Sequence, residues 1–162
     1  MQKNEQIALV RHWYEDVLSG PVAAGQRARA NGADPEDTDL SRLFSADFVN
    51  HVVPCPPGGW KGGVAGAWQI VRAFRRSIPD LTVEIDEQFV AEDKVVTRYT
   101  AFGAATGRAF LGLESDGQRY TVTGVGIEQV AGGQIVASWG TWDAFGLMVQ
   151  MGLLPGVAQL DA

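Results

Sequence analysis

The stretch FRRSIPDLTVEID, residues 74–86, contains the point at which the hydrophobic pattern of this chain changes from helical to strand spacing. Upstream of it, apolar residues recur at helical spacing over residues 64–78, which predicts a helix. Pro79 ends that helix, because proline lacks an amide hydrogen and clashes with the preceding turn. Downstream, residues 81–86 alternate apolar and polar side chains, which predicts a strand with one solvated face.

The rest of the chain extends this order in both directions. The predicted elements are a helix over 4–19, a loop insertion over 21–36, a short helix ending near residue 44, the helix over 64–78, strands over 81–86, 94–102, 118–130 and 134–143, and a final helical segment over 144–151. Helices followed by consecutive strands predict one α+β domain over residues 1–162, with a cone-shaped, curved antiparallel or mixed sheet packed against N-terminal helices. Gly124 and Gly126 in mid-strand indicate that the sheet bends there or that another group approaches closely.

Composition and charge argue against several classes of protein. With 162 residues, 46% hydrophobic and 20% charged, the chain has the balance of a globular domain rather than a disordered segment. A formal net charge of −6 argues against a nucleic-acid partner. No apolar run reaches the roughly 18 residues of a membrane span and no signal peptide is recognisable, so a soluble cytoplasmic protein is expected. Cys55 is the single cysteine and histidine occurs twice, which argues against a disulfide and a metal site.

Four segments of the chain carry a family resemblance. They are DFVNH at residues 47–51, the stretch over 74–81 that ends in IPDL, the segment over 103–112 that contains GAATG and FLG, and the closing run over 133–152. In order and spacing these segments resemble the SnoaL-like polyketide cyclases of the nuclear-transport-factor-like superfamily. The resemblance implies the SnoaL-like α+β barrel, a homodimer, a small-molecule substrate and no cofactor.

The same resemblance implies a reaction. SnoaL-like cyclases close a ring of an anthracycline precursor by intramolecular aldol condensation, with one acidic side chain as the acid–base group. That aspartate follows the tryptophan of the last strand by four residues, which corresponds to Asp143 after Trp139. This chain has Glu128 where some cyclases carry a histidine, and it lacks the histidine that the family commonly has within residues 103–107.

Three titratable residues are candidates for catalysis. Asp143 could exchange a proton with a substrate carbonyl from an enclosed pocket beside Trp139, or it could merely cap the helix that follows. Glu128 lies on the same strand face as the two mid-strand glycines, so it is either a second carboxyl in the pocket or an exposed side chain near a hairpin. His51 could polarise a substrate carbonyl or position Asp143, or it could be a structural histidine at a strand end.

Six further residues are predicted to bind the substrate through aromatic stacking, apolar contact or polar contact. They are Asn50, which could instead fix a turn, and Trp139, Trp60, Tyr14, Phe110 and Met148.

The predicted function is a cofactor-independent cyclase that acts on an aromatic polyketide or related natural-product intermediate by acid–base catalysis in an enclosed hydrophobic pocket. Two alternatives remain open at this point. One is a SnoaL-like hydroxylase or an accessory component of natural-product biosynthesis, which the residues do not separate from a cyclase. The other is a non-catalytic small-molecule-binding module, in which Asp143 only caps a helix.

Overall fold

The structure is a computed structural model that describes residues 1–19, 40–106, 114 and 117–154. Helix α1 spans Lys3–His12 and passes directly into a π-helical segment over Trp13–Leu18. The other elements, in chain order, are α2 (Leu40–Leu43), β1 (Phe44–Val53), α3 (Gly63–Ser77), β2 (Thr82–Ala91), β3 (Lys94–Ala104), β4 (Arg119–Ala131), β5 (Gln134–Trp142) and α4 (Ala144–Gln150). The predicted insertion over 21–36 and Phe110 lie outside the described residues.

The two long helices predicted from periodicity are confirmed. Helix α1 and its π-helical continuation bury Val10 and Val17, and α3 buries Ala67 and Val71. These residues belong to one hydrophobic core, so the apolar stripe of each helix faces the sheet. None of the helices in the described parts of the chain is long and apolar enough to cross a membrane.

Five strands form one mixed sheet in the order β1-β5-β4-β3-β2. Strand β1 runs parallel to β5, and the other neighbouring pairs are antiparallel. The α+β class and the mixed sheet are confirmed, and the sheet is open, with β1 and β2 as its edges. A turn at Gly132-Gly133, between the two strands predicted over 118–130 and 134–143, joins β4 to β5 with positive φ at both glycines. Strand β1 itself was not predicted, because along this edge only Phe44 and Phe48 are fully buried.

A β-bulge in β5 determines which of its side chains face the helices. Counting pairs from the two-glycine turn would place Glu128 opposite residue 137, but Val136 is an extra residue without a partner, and Glu128 pairs with Ser138. A shift of one residue exchanges the two faces of a strand. Beyond the bulge, Ser138 therefore faces the helices and Trp139 faces away from them.

The outer face of the sheet carries a row of apolar and aromatic side chains that crosses all five strands. Cross-strand pairing aligns His51, Trp139, Ile127, Val96 and Phe89 in this row. The Phe89 side chain is 53% exposed. The homodimer implied by the family resemblance stays a prediction.

Candidate active site

A cavity of about 800 Å³ lies between the inner face of the sheet, helix α3 and the end of the first helix. This volume is within the range of small-molecule sites, which is about 300–1,000 Å³. Most of the lining side chains are apolar, and eight described residues of the lining are aromatic: Trp13, Tyr14, Trp60, Phe74, Tyr99, Phe102, Tyr120 and Trp142. Such a lining suits a planar, mainly apolar ligand.

Within the described residues, Glu128 provides the carboxyl group of the cavity lining. It is 2% exposed and projects from the inner face of β4. Its Oε1 accepts a hydrogen bond of 2.8 Å from the Tyr14 hydroxyl of the π-helical segment. Its Oε2 is buried and has no hydrogen-bond partner in the described part of the chain. Oε2 is therefore the carboxyl oxygen whose hydrogen-bonding capacity the described residues leave unsatisfied.

Burial raises the pKa of Glu128 from its ordinary value of 4.5 to about 8. The hydrogen bond from Tyr14 and the Ser138 hydroxyl on the neighbouring strand oppose this rise in pKa, because both favour the charged form. The Ser138 hydroxyl lies close enough to the carboxyl to lower its pKa, although it does not meet full hydrogen-bond geometry at Oε2. A carboxyl with a pKa near 8 can both release and accept a proton close to neutral pH.

The two mid-strand glycines of β4 make room for two tyrosine side chains. A methyl group at Gly126 would collide with the Tyr14 hydroxyl and lie 2.9 Å from Oε1 of Glu128. A methyl group at Gly124 would collide with the ring tip of Tyr99. The two tyrosine rings pack together, with centroids 5.0 Å apart. The close approach predicted from these glycines is confirmed.

Both tyrosines stay protonated near neutral pH. Burial and, secondly, the charge of Glu128 raise the pKa of Tyr14 well above 10. The same two causes raise the pKa of Tyr99 to about 12. Each hydroxyl is therefore a hydrogen-bond donor, and Tyr14 uses its proton for Glu128.

The sequence profile of the SnoaL-like polyketide cyclases matches residues 23–151. The chain belongs to this family. No curated protein matches it.

Solved structures share the SnoaL-like fold over nearly the whole chain. TsrD from Streptomyces laurentii is 23% identical, with a TM-score of 0.71 over 95% of this chain and 99% of its own. AclR from Streptomyces galilaeus, proposed to be a hydroxylase, is 24% identical, with a TM-score of 0.69 over 96% of this chain and 86% of its own. A SnoaL-like polyketide cyclase from Agrobacterium tumefaciens is 14% identical, with a TM-score of 0.63 over 94% of this chain and 100% of its own. At these identities the similarity shows the fold.

The acid that the SnoaL-like resemblance places at position 143 lies outside the cavity lining. Asp143 is exposed, and its carboxylate caps α4 by accepting a hydrogen bond of 2.7 Å from the amide of Gly146. The expected enclosure of Asp143 beside Trp139 is wrong, because the bulge turns that face of β5 outward. The helix-cap alternative describes this geometry. A catalytic role for Asp143 stays a prediction that the geometry does not favour.

Three other predicted site residues also lie outside the cavity lining. His51 and Trp139 stack on the outer face of the sheet, with ring centroids 5.2 Å apart and 9° between the ring planes. Asn50 lies opposite Ser138, and its Oδ1 accepts a hydrogen bond of 3.0 Å from the amide of Val52, while its Nδ2 is buried without a partner in the described residues. Their placement inside the pocket is wrong, and their roles toward the substrate stay predictions.

The remaining predicted binding residues divide between the cavity and other places. Trp60 and Tyr14 are in the cavity lining, and the Trp60 indole nitrogen donates a hydrogen bond of 2.8 Å to the carbonyl of Val52. Met148 is outside the lining, to which α4 contributes its neighbour Leu147. Phe110 lies outside the described residues.

The cavity residues that the sequence did not predict include Tyr99, Ser138 and Trp142. Tyr99 has a usable signal, because it pairs with Gly124 across β3 and β4, and a glycine opposite an aromatic residue indicates a ring that lies over the backbone. Ser138 and Trp142 have none, since their orientation depends on the bulge at Val136.

Proposed function

We propose that this SnoaL-like protein is a cofactor-independent cyclase that closes a ring in an aromatic polyketide or related natural-product intermediate by acid–base catalysis. The observation that carries the proposal is the Glu128 carboxyl, buried in the lining of a mainly apolar cavity with Oε2 unpaired. The alternative in which Glu128 is an exposed side chain near a hairpin is wrong, because the residue is 2% exposed.

The proposed reaction is an intramolecular aldol closure. The ionised Glu128 carboxylate removes a proton from a carbon next to a carbonyl group, and the electron pair of that C–H bond forms an enolate. The enolate carbon attacks a second carbonyl group of the same molecule, which forms a C–C bond and an alkoxide. Glu128 then returns the proton to the alkoxide, so the carboxyl is unchanged over the cycle.

The cavity supplies the second part of the proposed catalysis by holding the substrate folded. Confinement keeps the two reacting carbons of one chain close together in a reactive geometry, which lowers the entropic cost of ring closure. The aromatic side chains that line the cavity suit planar rings and keep water from a reactive polycarbonyl chain. Tyr14 holds the Glu128 carboxyl in one orientation through their hydrogen bond of 2.8 Å.

The reaction class is tested by product mass. The purified protein is incubated with linear polyketide methyl esters and anthraquinone-type compounds, and products are analysed by liquid chromatography and mass spectrometry. We expect a product of unchanged mass and altered retention, or one that has lost water, because aldol closure is an isomerisation that dehydration can follow. Incubation with heat-inactivated protein controls for spontaneous cyclisation.

Two outcomes would contradict the cyclase proposal. A product that has gained one oxygen atom would favour the hydroxylase activity proposed for AclR. Binding of the compounds without any conversion would favour a small-molecule-binding module.

A further inference from the structure

Tyr99 is the second tyrosine beside the proposed acid–base group, and its hydroxyl is uncommitted. The Tyr14 hydroxyl donates to Oε1 of Glu128. The Tyr99 hydroxyl has no hydrogen-bond partner within the described residues, although Tyr99 lines the cavity. A phenol is both donor and acceptor, so this group is available to a ligand.

The glycines beneath the two tyrosines show which position of β4 each hydroxyl lies over. The Tyr14 hydroxyl lies over Gly126, next to the Glu128 carboxyl, and the ring tip of Tyr99 lies over Gly124. The two glycines are two residues apart on one face of β4, which corresponds to roughly 6–7 Å. The Glu128 carboxyl and the Tyr99 hydroxyl therefore lie beside neighbouring positions on one face of β4.

Two neighbouring positions on one strand face lie roughly 6–7 Å apart, which is enough to take one carbonyl group and the carbon next to it between them. A general base must come within about 3 Å of the group that loses a proton, and an oxyanion donor within about 3 Å of the oxygen that gains charge. The two positions thus match the two ends of an enolising ketone. Trp142 lies opposite Gly124 on β5 and lines the cavity, so its ring helps to exclude water from the oxygen position.

We propose that Tyr99 is a further catalytic residue, whose hydroxyl donates a hydrogen bond to the substrate oxygen that becomes negatively charged when Glu128 removes the adjacent proton. This proposal rests on the proposed function of Glu128. In this step the carboxylate gains the proton, the C–H electron pair becomes the C=C bond of the enolate, and the carbonyl π electrons move to the oxygen held by Tyr99. Tyr99 keeps its own proton throughout.

A neutral phenol suits this role. Burial and the charge of Glu128 keep the pKa of Tyr99 near 12, so the hydroxyl remains a donor while Glu128 is ionised. A donor that is already in place stabilises the developing charge without reorganisation of solvent. Loss of one such donor typically lowers kcat by about 10²–10³-fold.

The test uses a probe that enolises without closing a ring. The methyl protons of 2-acetonaphthone exchange with deuterium in D₂O, and the exchange is followed by proton NMR with the wild type and variants. We expect Tyr99→Phe to lower kcat for exchange about 100-fold and to change KM less than about threefold, because the hydrogen bond strengthens only as the charge forms. The removed hydroxyl has no protein partner in the described residues, so the fold is expected to remain.

Thr100→Val is the matched control for Tyr99→Phe. It removes a hydroxyl from the next residue of β3, which lies on the opposite face and bonds to Asp86, and it is expected to leave exchange unchanged.

Tyr14→Phe shows the behaviour of a positioning residue. In Tyr14→Phe the pH profile of deuterium exchange should shift to higher pH, because Glu128 loses a hydrogen bond that lowers its pKa. In Tyr99→Phe the pH profile of exchange should not shift.

Glu128→Gln separates this proposal from the one on which it rests. If Glu128→Gln exchanges as fast as the wild type, or if the wild type does not accelerate exchange above buffer, both proposals fail. If Glu128→Gln is inactive while Tyr99→Phe keeps the wild-type kcat, only the role of Tyr99 is overturned.

Discussion

Replacement of Glu128 by glutamine is expected to lower kcat for ring closure by about a thousandfold. Glutamine keeps the shape of the side chain, and its Oε1 can still accept the hydrogen bond from Tyr14. The amide, however, neither takes nor returns a proton. Acid–base catalysis contributes roughly 10²–10⁴-fold, and Glu128 acts twice in the proposed cycle, first as base and then as acid. Single-turnover kinetics at saturating substrate measure the effect, with folding checked by circular dichroism.

Asp143→Asn is the matched control, since it makes the same carboxylate-to-amide change at an exposed position outside the cavity lining. Asparagine is about as good a helix N-cap as aspartate, so α4 should remain folded and kcat should stay within about threefold of the wild type. If Asp143→Asn is slow and Glu128→Gln is active, the acid–base group is Asp143, as the family resemblance indicates, and not Glu128.

The second large effect concerns stability. Relative to Glu128→Gln, the free energy of unfolding of the wild type should fall by roughly 5 kcal/mol between about pH 4 and pH 9. The pKa of Glu128 is about 8 in the folded protein and near 4.5 in solvent. Between these values the folded state keeps a proton that the unfolded state has released, so a rise in pH favours unfolding. The contribution of protonated Glu128 to the free energy of unfolding is complete below about pH 4.5 and is lost by about pH 8.

Urea unfolding at a series of pH values measures this difference, and the comparison of two proteins cancels the titration of the carboxyls that they share. Glu84→Gln serves as the control, because Glu84 is exposed on β2 and its carboxyl stays in solvent on folding. A wild type whose stability relative to Glu128→Gln does not change with pH would contradict the raised pKa on which the proposed chemistry depends.

The order of elements could be predicted from the sequence wherever an element has a clear hydrophobic period. Helix α3 has an apolar stripe, and the alternation over residues 81–86 marks the start of β2. Strand β1 has a weaker pattern, since it is an edge strand and exposes Val49, His51 and Val53 on its outer side. Its pairing with β5 is a long-range contact, which local pattern does not report.

The candidate site could be predicted only in part. Simple alternation along β4 places Gly124, Gly126 and Glu128 on one face, and the structure keeps that arrangement because pairing with β3 is regular. On β5 the same reasoning fails, since one extra residue at Val136 exchanges the faces beyond it. The bulge therefore turns Trp139 outward. Asp143, which strand alternation predicts on the same face as Trp139, lies outside the cavity lining for the same reason.

The titration of the Glu128 carboxyl decides whether this group can act as both acid and base near neutral pH. Protein labelled with ¹³C at the glutamate side-chain carboxyls is titrated by NMR, and the Glu128 resonance is assigned by its absence from Glu128→Gln. We expect this carboxyl to titrate near pH 8. A Glu128 resonance that titrates near pH 4.5 would contradict this expectation, because the group would then be ionised at neutral pH like a carboxyl in water and would be a poor acid for the returning proton.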